Sequence, residues 1–260
     1  MIPRLAVPEL GDQAWYPASA REVLTGFLQT MITRTRPYAP AVPRLAALLV
    51  ETHTTHVVDL GSGAGGPWPG LQAELTAPGV SVHVTCTDLA PNQRAAAEWA
   101  SDAAVHYHPT PVSALAVPAS LVGARTMFSA LHHFTPAEVC ALLADAQTAG
   151  VAFAAFEATS RSARGVLATL AIPFAVLALM PAVRPRHWVA LLCTYCPPLL
   201  PLTIAWDGLA SSLRTYRIDE VQQLITTLPP AAYVWEVLEL KGGVLPVLAL
   251  IGRPRAAPSV

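Results

Sequence analysis

The feature that most restricts what this chain can fold into is the run "VVDLGSGAGGPW", Val57 to Trp68. An apolar segment of strand type ends in a carboxylate, and four glycines follow within six residues. Glycines placed after a strand let the backbone come close to a ligand, and the helix that follows offers unpaired N–H groups. In an open parallel sheet this puts a binding site beyond the carboxyl ends of the strands. Gly61, Gly63 and Gly66 fit the spacing G-x-G-x-x-G, which taken alone is weak evidence for a dinucleotide. Asp59, two residues before the first glycine, counts against one: its charge would repel a pyrophosphate but suits an ammonium or sulfonium group.

The flanking sequence repeats this strand-and-helix alternation. "VSVHVTCTD" alternates as a strand and closes on Asp88, and "PNQRAAAEWASDA" is a helix of strong formers. "AVHYH" and "ARTMFSAL" read as strands, "TPAEVCALLADAQTA" as a helix opened by Thr135 and Pro136, and "VAFAAFEA" as a strand. Upstream, Val23, Leu24, Phe27, Leu28 and Ile32 recur at helix spacing until Pro37, Pro40 and Pro43 interrupt them, and a second helix starts near Arg44. This order predicts a parallel α/β sheet covered on both faces. "AAYVWEVLEL" and "VLPVLALIG", joined by "KGG", predict a closing hairpin.

With 260 residues the chain is long enough for one sizeable core, and no linker divides it. We expect a single domain over 1–260, with an N-terminal helical cap over 1–50 and an apolar insertion over 162–216. A net charge of −1 offers no cationic excess for phosphates, so nucleic acid is not an expected partner. Four cysteines and a start without a secretory leader point to a reducing, cytoplasmic setting.

"VVDLGSGAGG" resembles the first motif of the class I S-adenosylmethionine-dependent methyltransferases. "TCTD" resembles their second-strand acid, and "MFSALHHF" their fourth strand and following loop. The resemblance implies a Rossmann-like three-layer sandwich with a seven-stranded, mostly parallel sheet whose last strand is antiparallel. It implies S-adenosyl-L-methionine as cofactor, with Asp59, Gly61, Ser62, Gly63 and Gly65 around its methionine and ribose parts. Asp88 would hold the ribose, Leu89 would pack on the adenine, and Phe128 and Ser129 would line the site. Family members often carry an acid after the third strand, whereas no Asp or Glu occurs here between Asp102 and Glu138; Ser113 is the nearest polar substitute.

Methyl transfer from a sulfonium is an in-line displacement, so holding the reactants in line in a dry site is a large part of the task. A base is needed only when the nucleophile must lose a proton. His132 and His133 are the candidates for it, unless they pack under the sheet or face solvent. Glu157 ends the fifth strand at the ligand edge; it either faces the acceptor or is a solvated acid or partner of Arg161. Trp15 and Tyr16 precede the first helix as an aromatic lid or as core residues. Asp207 and Arg214, in "WDGLASSLRTY", either orient an acceptor or form a structural ion pair; that stretch resembles a signature shared by a subgroup of these methyltransferases. No metal site is expected: Cys193 and Cys196 lack a second pair, and His106 and His108 lack a third ligand.

Only 13% of residues are charged and the mean hydropathy is +0.44. The excess lies in "GVLATLAIPFAVLALMPAV" and "WVALLCTYCPPLLPLTIAW", separated by "RPRH". Each approaches the ~20 residues that cross a bilayer, but Pro173, Pro181, Pro197, Pro198 and Pro201 are expected to break regular spanning helices. Residues 165–206 therefore dock peripherally on a membrane, cover a greasy substrate pocket, or form a homodimer surface.

The expected function is methyl transfer from S-adenosyl-L-methionine to a small, apolar acceptor. Two rivals remain. An NAD(P)-dependent oxidoreductase of the short-chain type would need Tyr-x-x-x-Lys, and Val237 stands four residues before Lys241, the only lysine. A membrane-associated, non-catalytic protein would keep the fold and the cofactor as a sensor.

Overall fold

A computed structural model describes residues 2–76, 79–184, 186, 188–243 and 245–255. Pro185 and His187 of the turn between the apolar blocks, Val244 at the head of the last expected strand, and the two ends of the expected 1–260 domain lie outside the described residues.

Two helices lead the chain, α1 (Ala18–Thr35) and α2 (Val42–Glu51), and the alternating unit follows. It runs β1 (His56–Leu60), α3 (Trp68–Thr76), β2 (His83–Thr87), α4 (Gln93–Glu98), β3 (Val105–Tyr107), β4 (Ala124–Phe128), α5 (Pro136–Ala149) and β5 (Phe153–Glu157). Then come α6 (Ala163–Ala168), α7 (Ile172–Leu179), α8 (Trp188–Tyr195), α9 (Leu199–Arg214) and α10 (Ile218–Thr226). The chain closes on β6 (Tyr233–Leu240) and β7 (Val247–Pro254). One seven-stranded sheet has the order β3-β2-β1-β4-β5-β7-β6. β1 to β5 run parallel, and β7 is antiparallel to both β5 and β6.

Successive strand residues face opposite sides, so each central strand feeds two cores. Ala154 and Phe156 of β5 join the core built with Leu45, Leu49, Trp68 and Leu71, under α2 and α3. Phe153 and Ala155 join the other, with Val139, Leu142 and Leu143 of α5 and Val221 of α10. A sheet covered on both faces buries its central strands along their whole length, and β4 and β5 are buried throughout, with Arg125, Thr126 and Glu157 as their polar residues. α5 has the expected start: Thr135 and Glu138 form a reciprocal capping box, and Gly150 ends the helix in the left-handed conformation.

Three elements are shorter than their sequence pattern predicts. α4 stops at Glu98, where Trp99 turns its ring against Gly65, and Asp102 accepts from the N–H groups of Ala104 and Val105 to turn the chain into β3. β3 itself ends at Tyr107, which leaves His106 exposed on the strand and His108 in the following loop. β4 ends at Phe128 because Ser129 adopts a positive φ of 46°.

The helices between β5 and β6 make a third core with α1: Val176, Met180, Ala190, Leu200 and Ile204 pack on Val23, Leu24 and Phe27. Pro173 does not interrupt the first apolar block, since it falls in the first turn of α7, where its missing N–H would have no partner in any case. The helical stretch Ala163–Ala182 is therefore continuous, with mean hydropathy 2.1, and is long and apolar enough to cross a membrane; only 22% of it is buried. Pro197 and Pro198 separate α8 from α9, and the two bend by 80°. The outer face of these helices leaves Leu167, Leu170, Phe174, Trp188, Leu192 and Leu202 exposed.

Candidate functional site

Beyond β1 the backbone turns through positive φ at Gly61 (71°), Gly63 (56°) and Gly65 (101°), conformations that only glycine takes at little cost. Gly65 is held tightest, since a Cβ there would stand 1.9 Å from the Trp99 ring. At Gly63 a Cβ would meet nothing within 4 Å. The loop thus presents open space at one glycine and is locked by an indole at another.

Asp59 does not face that space. It is buried, and its carboxylate accepts from Ser62 Oγ and Thr126 Oγ1, each at 2.6 Å. Burial pushes its pKa up, against those hydroxyl bonds, to about 6. The acid that was expected to meet a cationic ligand braces the loop from inside, and Ser62 is spent on the same bond.

Asp88, after β2, is the acid at the loop's rim. Its Oδ2 accepts from Gly63 N–H and its Oδ1 from Ala90 N–H, both at 2.8 Å. Burial raises its pKa, while these bonds work the other way. A carboxylate has about four lone-pair sites, so two backbone donors leave room for hydroxyls of a ligand. Leu89 beside it is 71% exposed. Tyr107, which the sequence pattern did not single out, donates its hydroxyl to the Gly63 carbonyl at 2.7 Å. Ser113 Oγ accepts from Leu115 N–H at 3.3 Å.

The ends of β4 and β5 form the second half of the site. Phe128 turns inward, stacked on Phe156 with ring centroids 5.3 Å apart and edge-on to Trp68 at 5.6 Å, so it is a core residue and not a site wall. Ser129 stays at the edge, accepting from Tyr38 OH at 2.7 Å and from Ala158 N–H at 3.1 Å. A 3-10 turn over Leu131–His133 then brings both histidines back toward β5.

Glu157 is neither solvated nor bound to Arg161, whose partner is Glu220. Its Oε1 accepts from Leu131 N–H at 2.8 Å and its Oε2 lies 2.7 Å from His132 Nδ1. The far nitrogen of that ring, Nε2, lies 3.4 Å from Glu9 Oε1. Burial alone would lower the imidazole pKa, but the carboxylates of Glu157 and Glu9 outweigh it and raise it to about 9. A general base must be unprotonated, so the role expected of His132 does not fit this geometry. His133 is half-buried, with Nδ1 3.0 Å from Asp12 Oδ2 and Nε2 3.9 Å from Glu9 Oε2. Because β2, β1, β4 and β5 run parallel, Asp88, the glycine loop and the histidine turn all leave the sheet at its carboxyl edge.

Glu9 and Asp12 belong to a strap that sequence reasoning missed. Arg4 Nε donates to the Arg214 carbonyl at 2.7 Å and Arg4 Nη2 to the Phe134 carbonyl at 2.9 Å. Leu10 and Gly11 donate their N–H groups to Asp207 at 2.6 and 3.0 Å, and Trp206 Nε1 donates to the Pro8 carbonyl at 3.1 Å. Arg214 reaches Asp12 at 3.2 Å, Glu9 at 3.5 Å and the His133 carbonyl at 3.0 Å. Asp207 and Arg214 therefore do not pair with each other: both hold residues 9–12 down on the histidine turn. Trp15 is 68% exposed and touches Tyr16 edge-on, while Tyr16 is buried, so of the two aromatics only Tyr16 packs inside. The four cysteines, Cys193 and Cys196 among them, are free.

No protein-family model matches the sequence, and no curated protein does. Solved structures do match the fold. The plantazolicin methyltransferase BpumL, in complex with SAH, superposes with a TM-score of 0.59 at 9% identity, over 95% of this chain and 94% of that one. TnmH superposes with a TM-score of 0.50 at 17% identity, over 88% of this chain and 57% of that one. At such identities the likeness is one of architecture: the chain has the Rossmann-like fold of the class I methyltransferases.

Proposed function

We propose that the chain is an S-adenosylmethionine-dependent methyltransferase acting on a small acceptor. The observation that carries this reading is the open loop at Gly63 with the Asp88 carboxylate at its rim, at the same carboxyl edge of the parallel strands as the covered histidine turn. The plantazolicin methyltransferase, with SAH in its complex, supports the cofactor class. When bound, S-adenosylmethionine supplies a methyl group on a cationic sulfur. Asp88 would accept from the ribose hydroxyls, Leu89 would cover the adenine, and the backbone of Gly61 to Gly63 would follow the remainder. Residues 4–12 and α9 roof the acceptor side and exclude water, which favours displacement in line. His132 and His133, both turned to carboxylates, hold that roof and do not take up the acceptor's proton. A roof of this kind, continuous with the apolar helices α7 to α9, favours an acceptor that is itself apolar.

Calorimetric titration tests the cofactor. S-adenosylmethionine is expected to bind, and Asp88→Ala to weaken it on the order of 10–100-fold, as loss of hydrogen bonds to a charged acceptor does. Tight binding of NADH, or affinity for S-adenosylmethionine indifferent to Asp88, would overturn the assignment.

The outer face of α6 to α9 we assign to a membrane surface in the cytoplasm, with the protein peripheral on it. Residues 158–206 contain no Asp or Glu, while Arg164, Arg184 and Arg186 are exposed beside Phe174 and Trp188, themselves 71% and 75% exposed. Exposed aromatics with flanking arginines suit the headgroup region of an anionic bilayer. The protein should float with vesicles containing phosphatidylserine, and Phe174→Glu with Trp188→Glu should leave it in the soluble fraction. If the wild type stays soluble and sediments as a dimer that the same pair of substitutions dissociates, the face belongs to a second copy instead.

A further inference from the structure

The roof over the histidine turn has a second property, independent of whether methyl groups are transferred beneath it. We propose that Glu9, His132 and His133 bind a divalent transition-metal ion of the zinc class. The ligand atoms of the three residues lie within 4.8 Å of one another. His132 Nε2 and Glu9 Oε1 are 3.4 Å apart, close to the spacing of about 3.3 Å between ligands tetrahedrally placed at about 2.0–2.1 Å from zinc. The 3.9 Å between His133 Nε2 and Glu9 Oε2 needs only a small inward movement of a half-buried ring.

Three further observations point to a ligand here. First, His132 is 2% exposed, yet its Nε2 makes no hydrogen bond among the described residues, although it is aimed at Glu9. That nitrogen meets the Glu9 carboxylate only as an ion pair at 3.4 Å, without a hydrogen bond, and an ion that both atoms ligate would satisfy it. Second, each ring has its other nitrogen on a carboxylate: His132 Nδ1 on Glu157 and His133 Nδ1 on Asp12. That is how metal-bound histidines are oriented and made better donors. Third, the charged side chains in contact with the two rings and Glu9 are the carboxylates of Glu157 and Asp12 and the guanidinium of Arg214, and the neutral Ser211 hydroxyl donates to Glu9 Oε1 at 3.0 Å. With neutral rings, the three carboxylates and one guanidinium leave two negative charges, which a divalent ion balances.

Two imidazoles and one carboxylate suit zinc or its neighbours, whereas calcium and magnesium prefer oxygen ligands throughout. The ion would take one lone pair from each ring nitrogen and from a Glu9 oxygen. The proton held by His132 would pass to solvent, and a fourth position would remain for water or an oxygen of a bound molecule.

The test uses the full chain after treatment with a chelator, titrated with zinc by calorimetry and with cobalt by visible absorption. One ion per chain is expected, with the intense visible bands of tetrahedral cobalt. His133→Gln, which alters a half-buried ring, should abolish uptake while thermal unfolding shows the chain still folded. Asp12→Asn should weaken zinc about 10–100-fold, the usual cost of losing such a supporting carboxylate. His56 and His83 form a stacked pair of exposed rings 5.3 Å apart elsewhere on the surface, and replacing both by Gln should change nothing. Absence of uptake, or uptake lost with His56 and His83 but retained in folded His133→Gln, would overturn the proposal.

Discussion

Replacing Glu157 by alanine is expected to lower the free energy of unfolding of the chelator-treated protein by about 3–5 kcal/mol, the usual effect of removing one partner from a buried ion pair. The carboxylate is buried at the end of β5, and two groups depend on it, the Leu131 N–H and the His132 ring. Deleting it strands a buried backbone donor and leaves the ring with Glu9 alone. Glu157→Gln separates these contributions, because an amide oxygen can still accept from Leu131 while the charge facing His132 is gone. The amide variant should therefore lie between wild type and alanine in a denaturant titration at neutral pH. A loss under about 1 kcal/mol for Glu157→Ala would mean that the pair contributes no more than a surface ion pair does.

The second large effect is a pH dependence located at Asp59. Its carboxyl is pushed up from an ordinary 3.8 to about 6 in the folded protein, chiefly by burial. The folded chain thus holds this proton more tightly than the unfolded chain. Between pH 4 and pH 6 the native state carries more of it, and stability falls as pH rises through that window. The total contribution is roughly 3 kcal/mol, from about two pKa units at 1.36 kcal/mol each. Other acids oppose the trend, since Asp12 is held down at about 2 and Glu9 and Glu220 are also lowered. The measurement is therefore a difference: the stability of Asp59→Asn minus that of wild type should rise by roughly 3 kcal/mol from pH 4 to pH 7. Asn keeps an acceptor for one of the hydroxyls of Ser62 and Thr126, and either hydroxyl can rotate to accept from its amide. A difference that stays flat over this range would show that the acid is not desolvated as the geometry implies.

Much of the architecture was legible because it depends on local rules. The positive φ angles at Gly61, Gly63 and Gly65 follow from residue type, and the Thr135 box and Gly150 stop follow from neighbours three or four positions apart. The hairpin and the alternation of strands with helices are likewise written in short periods. Where local rules failed, a distant partner intervened. The Trp99 ring packs against Gly65 directly after the last turn of a helix that the sequence pattern carried on to residue 103. Phe128, at a position that the resemblance placed in the site, was drawn into a ring cluster with Tyr38, Trp68 and Phe156.

The site divides along the same line. Asp88 at the rim of the glycine loop could be found from its place at a strand end, whereas the inward turn of Asp59 depended on the Thr126 hydroxyl of a neighbouring strand. Glu9 and Asp12 carry no pattern in "PELGDQ" that announces a role. They matter because Asp207 and Arg214, on a helix near the other end of the chain, fasten that segment across the histidine turn. Backbone preference and periodicity act within a few residues and can be read along a line. The charge balance around His132 is a sum over groups that meet only after the chain has closed, and no stretch of residues contains it.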